Sequence, residues 1–205
     1  MLKDLYLQEF LDKTESSDPV PGGGSIAALS SALASALSGM VANLTIGKKN
    51  YEDVSDEMKV IAEKMSVFKQ DFVLLIDKDA NSFDKVMKAY KLPKETDAEK
   101  AERSRLIQEG MIYAASVPLE VAEKTTELFE LIEILVQKGN KNAQTDALVS
   151  AMMARTAILS ALYNVKINLG SIKDETFVKD TADKVKALEK LAIEQETRIL
   201  GLSDL

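Results

Sequence analysis

Breaks in this chain are so scarce that they dictate its architecture. Only four prolines and nine glycines occur in 205 residues, and three of the glycines are adjacent. Two prolines and those three glycines fall together in Pro19-Val20-Pro21-Gly22-Gly23-Gly24, the strongest loop signal in the chain. Lesser breaks are read at Gly47, at Lys91–Asp97 with Pro93, at Gly139–Asn142 and at Gly170–Asp174. The stretches between them run for tens of residues, which exceeds any ordinary strand and suits long helices.

The periodicity agrees. Residues 53–90 carry Val60, Ile61, Met65, Phe68, Phe72, Leu75, Ile76, Phe83, Val86 and Met87 at spacings of three and four. A short helix over 2–13 is expected to turn Leu2, Leu5, Tyr6, Phe10 and Leu11 to one side. Helices are also expected over 25–46, over 98–138 with a bend near Pro118, over 143–168 and over 175–200. No run alternates as a half-buried strand does. The fold expected is therefore all-α, a long-helix bundle of about five to six helices. Composition does not shift along the chain, so residues 1–205 read as one domain.

The segment 25–46 is about as long as a membrane span, roughly 20 residues. Its serines and Asn43 make it too polar for lipid, and it reads instead as a buried helix of small residues that lets neighbours come close. No membrane association is expected. Residues 1–9 hold Asp4 and Glu9 rather than a basic stretch followed by an apolar one, so a cytoplasmic location is expected.

Two absences limit the chemistry. Without histidine or cysteine, thiolate and imidazole metal sites and the Ser-His-Asp and Cys-His mechanisms are excluded, and no metal is expected. Proton transfer would fall to Asp, Glu, Lys or Tyr. A net charge of −7 also argues against a nucleic-acid partner, which would need a basic face.

A few polar residues interrupt the apolar pattern. Asp79 occupies a slot of the 72, 75/76, 79, 83, 86/87 stripe where a core residue belongs, whereas Asp77 is placed at a different angle, facing outward. Burial of Asp79 would raise its pKa toward the range useful for acid–base work. A structural role, with the carboxylate bonded to a neighbouring helix end, is the other reading of that position. Near the break at 139–142, Asn142 or Thr145 would cap the next helix and Asp146 would suit its positive end. Asp146 also shares a side with Val149 and Met153, and Asn164 and Asn168 continue that line. Buried amides need partners, so these read either as contacts to other helices or as ligand contacts. Pro21–Ser25 at a helix start could present bare amides to a ligand. Lys48 and Lys49 follow a helix C-terminus, where cations are favoured, and could also meet an acidic tail.

These residues in this order resemble the cyclodeaminase/cyclohydrolase family of folate enzymes, which includes the C-terminal domain of formiminotransferase-cyclodeaminase. The resemblance lies in Pro-Val-Pro-Gly-Gly-Gly-Ser at 19–25, Asn-Leu-Thr-Ile-Gly-Lys-Lys-Asn-Tyr at 43–51 and Asp-Lys-Asp-Ala-Asn-Ser-Phe at 77–83. It continues in Leu-Pro-Lys at 92–94, Val-Pro-Leu at 117–119, Gly-Asn-Lys-Asn-Ala-Gln-Thr-Asp at 139–146 and Asn-Val-Lys-Ile-Asn-Leu at 164–169. It implies an intertwined homodimer with the folate site near the subunit interface. It also implies a catalytic aspartate within the Asp77–Asp79 pair, of which the pattern selects Asp79. Pro21, Gly22, Gly23, Gly24, Ser25, Lys48, Asn140, Asn142, Asp146, Asn164 and Asn168 are the residues expected to bind substrate in one cleft.

The activity so implied is formiminotetrahydrofolate cyclodeamination, with methenyltetrahydrofolate cyclohydrolysis as the alternative. The substrate would be a tetrahydrofolate derivative, with no tightly bound cofactor. Only the cyclodeaminase half of the bifunctional enzyme is matched, which leaves a separate formiminotransferase as a partner. A different class of reading is a non-catalytic dimeric helical protein that binds folate or acts as a scaffold.

Overall fold

The computed structural model describes residues 1–203 and residue 205. Among these it contains seven α-helices and no strand: α1 (Leu7–Glu15), α2 (Gly23–Asn43), α3 (Ser55–Tyr90), α4 (Asp97–Thr126), α5 (Leu128–Lys138), α6 (Gln144–Leu169) and α7 (Glu175–Leu200). The all-α expectation holds, and five of the helices are long. Short 3-10 turns at Leu2–Asp4, Glu52–Val54 and Lys141–Ala143 lead into α1, α3 and α6.

Helix α2 is the centre of the bundle. It packs against α3 on one side and α6 on the other, α4 closes over α3 and α6, and α7 covers α6. Ala27, Ala28, Ala34, Val41 and Ala42 are wholly buried, and these small side chains permit the close approach. Burying most of its serines is inexpensive because their hydroxyls find acceptors, that of Ser38 excepted. Ser30, Ser31 and Ser35 donate to the carbonyls of Ile26, Ala27 and Ser31, and Ser31 also meets the Thr125 hydroxyl at 2.7 Å. By length and composition, Gly23–Asn43 and Lys141–Leu169 could each cross a bilayer. In this fold α2 instead lines the protein core.

Several local expectations are corrected. Residues 2–13 do not form one helix: a 3-10 turn precedes α1, and only Phe10 of the expected apolar side is buried, with Tyr6 and Leu11 exposed. Residues 98–138 form two helices that meet at Glu127, and Pro118 sits buried within α4. Val60 and Met87 of the α3 stripe are exposed. Neither Asn142 nor Thr145 caps α6: its N-cap is Ala143, and Asn140 caps the preceding 3-10 turn by accepting from the Asn142 N–H at 3.1 Å. The turn into α6 begins at Asn140, which Leu44, Thr45 and Lys48 just beyond α2 hold in place.

Asp77 is the largest correction. It does not face outward but is 6% exposed, and its Oδ1 accepts a 2.6 Å hydrogen bond from the Leu2 N–H. The N-terminal turn packs over this side of α3 and encloses a position that helical phase alone assigns to solvent.

Candidate functional site

The glycine run shapes the site by close approach. Gly22 is the N-cap of α2, and Gly23 and Gly24 form its first turn. A Cβ at Gly24 would lie 2.1 Å from Asp79 Oδ1, and one at Gly23 would lie 2.8 Å from Asn164 Nδ2. The first turn of α2 is thereby wedged between Asp79 on α3 and Asn164 on α6. Side chains at positions 23 and 24 would occupy the space those polar groups need.

The resulting cavity of about 330 Å³ is lined by Pro19, Val20, Gly22–Gly24, Asp79, Ser82, Phe83, Ala114, Asn164, Ile167 and Asn168. Asp79 is the one ionisable side chain among them. Other clefts are larger: those of about 540 Å³ between α3 and α4 and about 600 Å³ around Phe68 are shallow and mostly apolar, and one of about 470 Å³ beside Asp77 is shallow and lined mainly by charged side chains. Convergent polar groups on an otherwise apolar wall distinguish the smaller cavity.

Asp79 is held from behind. Its Oδ2 accepts from the Ser25 hydroxyl at 2.8 Å, while Oδ1 receives no side-chain hydrogen bond among the described residues and borders the cavity. Burial pushes the Asp79 carboxyl above its ordinary value, and the Ser25 hydroxyl and backbone N–H oppose part of that rise. The positive end of α2 acts in the same direction as Ser25. Desolvation wins, so this carboxyl retains a proton to higher pH than an exposed aspartate.

On the opposite wall the amide orientations are fixed by what each NH2 group finds. Asn164 Nδ2 donates to the Ser160 carbonyl at 2.9 Å. Asn168 Nδ2 donates to the carbonyls of Ala114 at 3.0 Å and Asn164 at 2.9 Å. Only an NH2 can face a carbonyl, so each Oδ1 is the free end. With Asp79 Oδ1, the cavity offers three oxygen acceptors, a pattern suited to a ligand edge rich in N–H donors.

The residues expected to share one cleft fall into two groups. Gly22, Gly23, Gly24, Asn164 and Asn168 line the cavity with Asp79. Pro21 is buried at its entrance turn. Ser25 is 0% exposed and touches Asp79 rather than open space.

Lys48, Asn140, Asn142 and Asp146 do not join them. The two groups lie at opposite ends of α2 and α6, and the 21 residues of α2 alone span about 30 Å. Within one chain the single-cleft expectation fails for these four. Asn140 is buried and fully engaged: Oδ1 accepts from Lys48 Nζ at 2.8 Å, Nδ2 donates to the Leu44 carbonyl at 3.0 Å, and its N–H donates to Thr45 Oγ1 at 2.9 Å. It fastens the end of α2 to the α5–α6 connection. Asn142 is exposed and Asp146 half-buried.

Sequence reasoning missed Ser82 and Phe83 as wall residues, although both lie in the quoted 77–83 segment one turn beyond Asp79. It also missed Ile167, which is 75% exposed and forms the rim of the cavity. An apolar residue between two asparagines on one helix face was the available signal.

Comparison with known proteins places this geometry in context. The family model for formiminotransferase-cyclodeaminase matches residues 6–187. The methenyltetrahydrofolate cyclohydrolase of Methylorubrum extorquens is 42% identical over 188 residues, covering 92% of this chain and 89% of that protein. The formimidoyltransferase-cyclodeaminase of Rattus norvegicus is 32% identical over 200 residues, 98% of this chain but only 37% of the larger protein. A crystal structure of formiminotetrahydrofolate cyclodeaminase from Thermotoga maritima superposes with a TM-score of 0.87 at 36% identity, covering 98% of this chain and 97% of that one.

Proposed function

This chain belongs to the formiminotransferase-cyclodeaminase family, and from that premise we propose that it is a folate one-carbon enzyme, a formiminotetrahydrofolate cyclodeaminase using Asp79 as general acid and base. The observation that carries the reading is one partly desolvated carboxyl, its pKa raised, as the sole ionisable wall of a cavity otherwise lined by amide oxygens and apolar groups.

The chemistry needs one group that both takes and gives a proton. N10 of the protonated 5-formimino group's own folate attacks the formimino carbon, forming the N10–C bond. Asp79 takes the N10 proton and delivers a proton to the former imino nitrogen. The C–N bond to that nitrogen breaks, ammonia leaves, and the 5,10-methenyl cation remains. A carboxyl ionised at all working pH values would be a poor acid for the departing nitrogen, so the raised pKa suits this reaction. The pterin edge, with its amino group and ring N–H, would face the free oxygens of Asn164 and Asn168. The substrate is then a tetrahydrofolate derivative, and the reaction calls for no tightly bound cofactor. A cytoplasmic location and a formiminotransferase as supplier of the substrate belong to the same proposal.

Methenyltetrahydrofolate cyclohydrolysis is the second reading, favoured by the 42% identity to a cyclohydrolase along nearly the whole chain. There water attacks the methenyl carbon and Asp79 acts as base. Incubation with each folate separates the two. Cyclodeaminase activity makes methenyl absorbance appear with ammonia, and cyclohydrolase activity makes that absorbance disappear without it. Failure of both substrates would favour a binding or scaffold role.

The distant group at Lys48, Asn140, Asn142 and Asp146 finds a role if the working unit is a homodimer. Val149, Met152, Tyr163 and Ile167 form an exposed stripe along α6, and Leu33, Met40 and Leu44 form another along α2. The α6 stripe begins beside Asp146 and ends at the cavity rim. Antiparallel pairing of α6 with its copy, centred on the level of Arg155–Ala157, would set Asp146 of one chain near the Asn164–Asn168 wall of the other. Burying these stripes also offers the hydrophobic gain that a stable dimer requires.

A further inference from the structure

We infer that Ser25 is a positioning residue for the proposed proton transfer: its hydroxyl pins Oδ2 of Asp79, leaves Oδ1 as the oxygen that exchanges the proton, and supports the ionised form of the carboxyl. The inference rests on the reading of Asp79 as the general acid and base, and adds a residue that never touches the substrate.

The geometry supplies the reasons. Ser25 is wholly buried in the first turn of α2, so it cannot reach a ligand in the cavity. Its Oγ has two acceptors within reach, Asp79 Oδ2 at 2.8 Å and the Ile76 carbonyl at 3.2 Å. A hydroxyl has one proton and must divide it between them. Bonds to an ionised acceptor are shorter and stronger than bonds to a neutral one. With Asp79 ionised, the hydroxyl is drawn to Oδ2. Once Asp79 is protonated, Oδ2 is the weaker acceptor and the Ile76 carbonyl competes. Ser25 is satisfied in both states, so neither half of the proton cycle strands a buried donor.

The pinned carboxylate oxygen also has nowhere else to turn. The backbone of Gly24 lies against the carboxyl, and a Cβ there would sit 2.1 Å from Oδ1 and 2.7 Å from Oδ2. Rotation about the Asp79 side chain is blocked on that side while Ser25 holds the other. The groups facing Asp79 are Gly24 and Ser25 from α2, Ser82 and Phe83 from its own helix, Ala114 from α4, and Asn164 and Asn168 from α6. None of these titrates, so Ser25 is the nearest means of adjusting the carboxyl. Lys78 and Asp77 leave α3 at other angles, and Lys78 is paired with Glu120.

The test compares pH profiles of turnover and infrared titrations of the Asp79 carboxyl, assigned by difference from Asp79→Asn, in the wild type, Ser25→Ala and Ser25→Cys. Removing the charge-assisted donor should shift the Asp79 midpoint up by about one pH unit in Ser25→Ala. Ser25→Cys, a weaker donor of similar size, should shift it less. KM should stay within about twofold in both, because the side chain does not meet substrate. The infrared titration needs no activity, so a variant with low turnover still reports. An unshifted midpoint in the folded variants, or a raised KM with an unchanged pH profile, overturns the assignment. Persistent activity in Asp79→Asn instead overturns the parent reading, whatever Ser25 does.

Discussion

Gly24 and Asp79 occupy complementary space: the carboxyl fills the room that a side chain at position 24 would need, and a methyl there would lie 2.1 Å from Oδ1. The approach holds the acid against a helix N-terminus while leaving one face open to the cavity.

Gly24→Ala is therefore expected to displace the carboxyl, because the blocking atoms cannot retreat toward α2. A misplacement of about 1 Å can cost on the order of 100-fold in rate, and overpacking costs about 1–3 kcal/mol of stability. Gly23→Ala meets the end of the Asn164 amide at 2.8 Å, and should instead raise KM more than it lowers kcat. Steady-state kinetics and thermal denaturation of the pair check this. Wild-type rates in Gly24→Ala would show that the close approach is not required.

Asp79→Asn should lower turnover by about 10²–10⁴-fold, the usual worth of a general acid or base, while leaving the fold intact. It should also change the pH dependence of stability. The Asp79 pKa is raised by burial above its ordinary 3.8, so between the two values the folded chain binds more protons than the unfolded chain. Its favourable contribution is present below the unfolded pKa and is lost as pH rises through the folded one. The variant has no such loss, so it should be more stable than wild type near pH 8, with the difference shrinking toward pH 4. Melting temperatures across that range test the sign, and a variant less stable at pH 8 than at pH 4 relative to wild type would contradict it.

Asp77→Ala should spare chemistry and weaken the fold. The buried carboxyl anchors the N-terminal turn through Leu2 N–H, and losing that acceptor should cost about 1–3 kcal/mol. Urea unfolding with activity at saturating substrate separates the two effects. Loss of turnover equal to that of Asp79→Asn would shift the proton-transfer role to Asp77.

If Asp146 works across a dimer, mixtures of Asp79→Asn and Asp146→Ala chains should recover activity that neither variant has alone. Random pairing leaves half of the dimers mixed, each with one intact composite site, so about a quarter of wild-type activity is expected if each variant alone is near zero. Ile167→Asp should lower both dimer content and activity. A fully active monomer in light scattering would contradict the composite site.

The sequence by itself determined the all-helical architecture, because scarce breaks and a spacing of three and four leave long stretches no other regular form. It also singled out Asp79, since a carboxylate in an otherwise apolar stripe is conspicuous whatever surrounds it. The tertiary structure decided the rest. Asp77 differs from Asp79 only by rotation about one helix, and its burial depends on an N-terminal turn from 75 residues away. Ser25 looked like a ligand contact because the loop signal around it is strong, yet packing of α2 seals it behind the carboxyl. Lys48, Asn140, Asn142 and Asp146 carried the same polar signature as Asn164 and Asn168. Helical periodicity gives the angle of a residue about its axis but does not say which elements cover it. Nor does it say that two polar stretches on one face stand at opposite ends of a helix about 30 Å long.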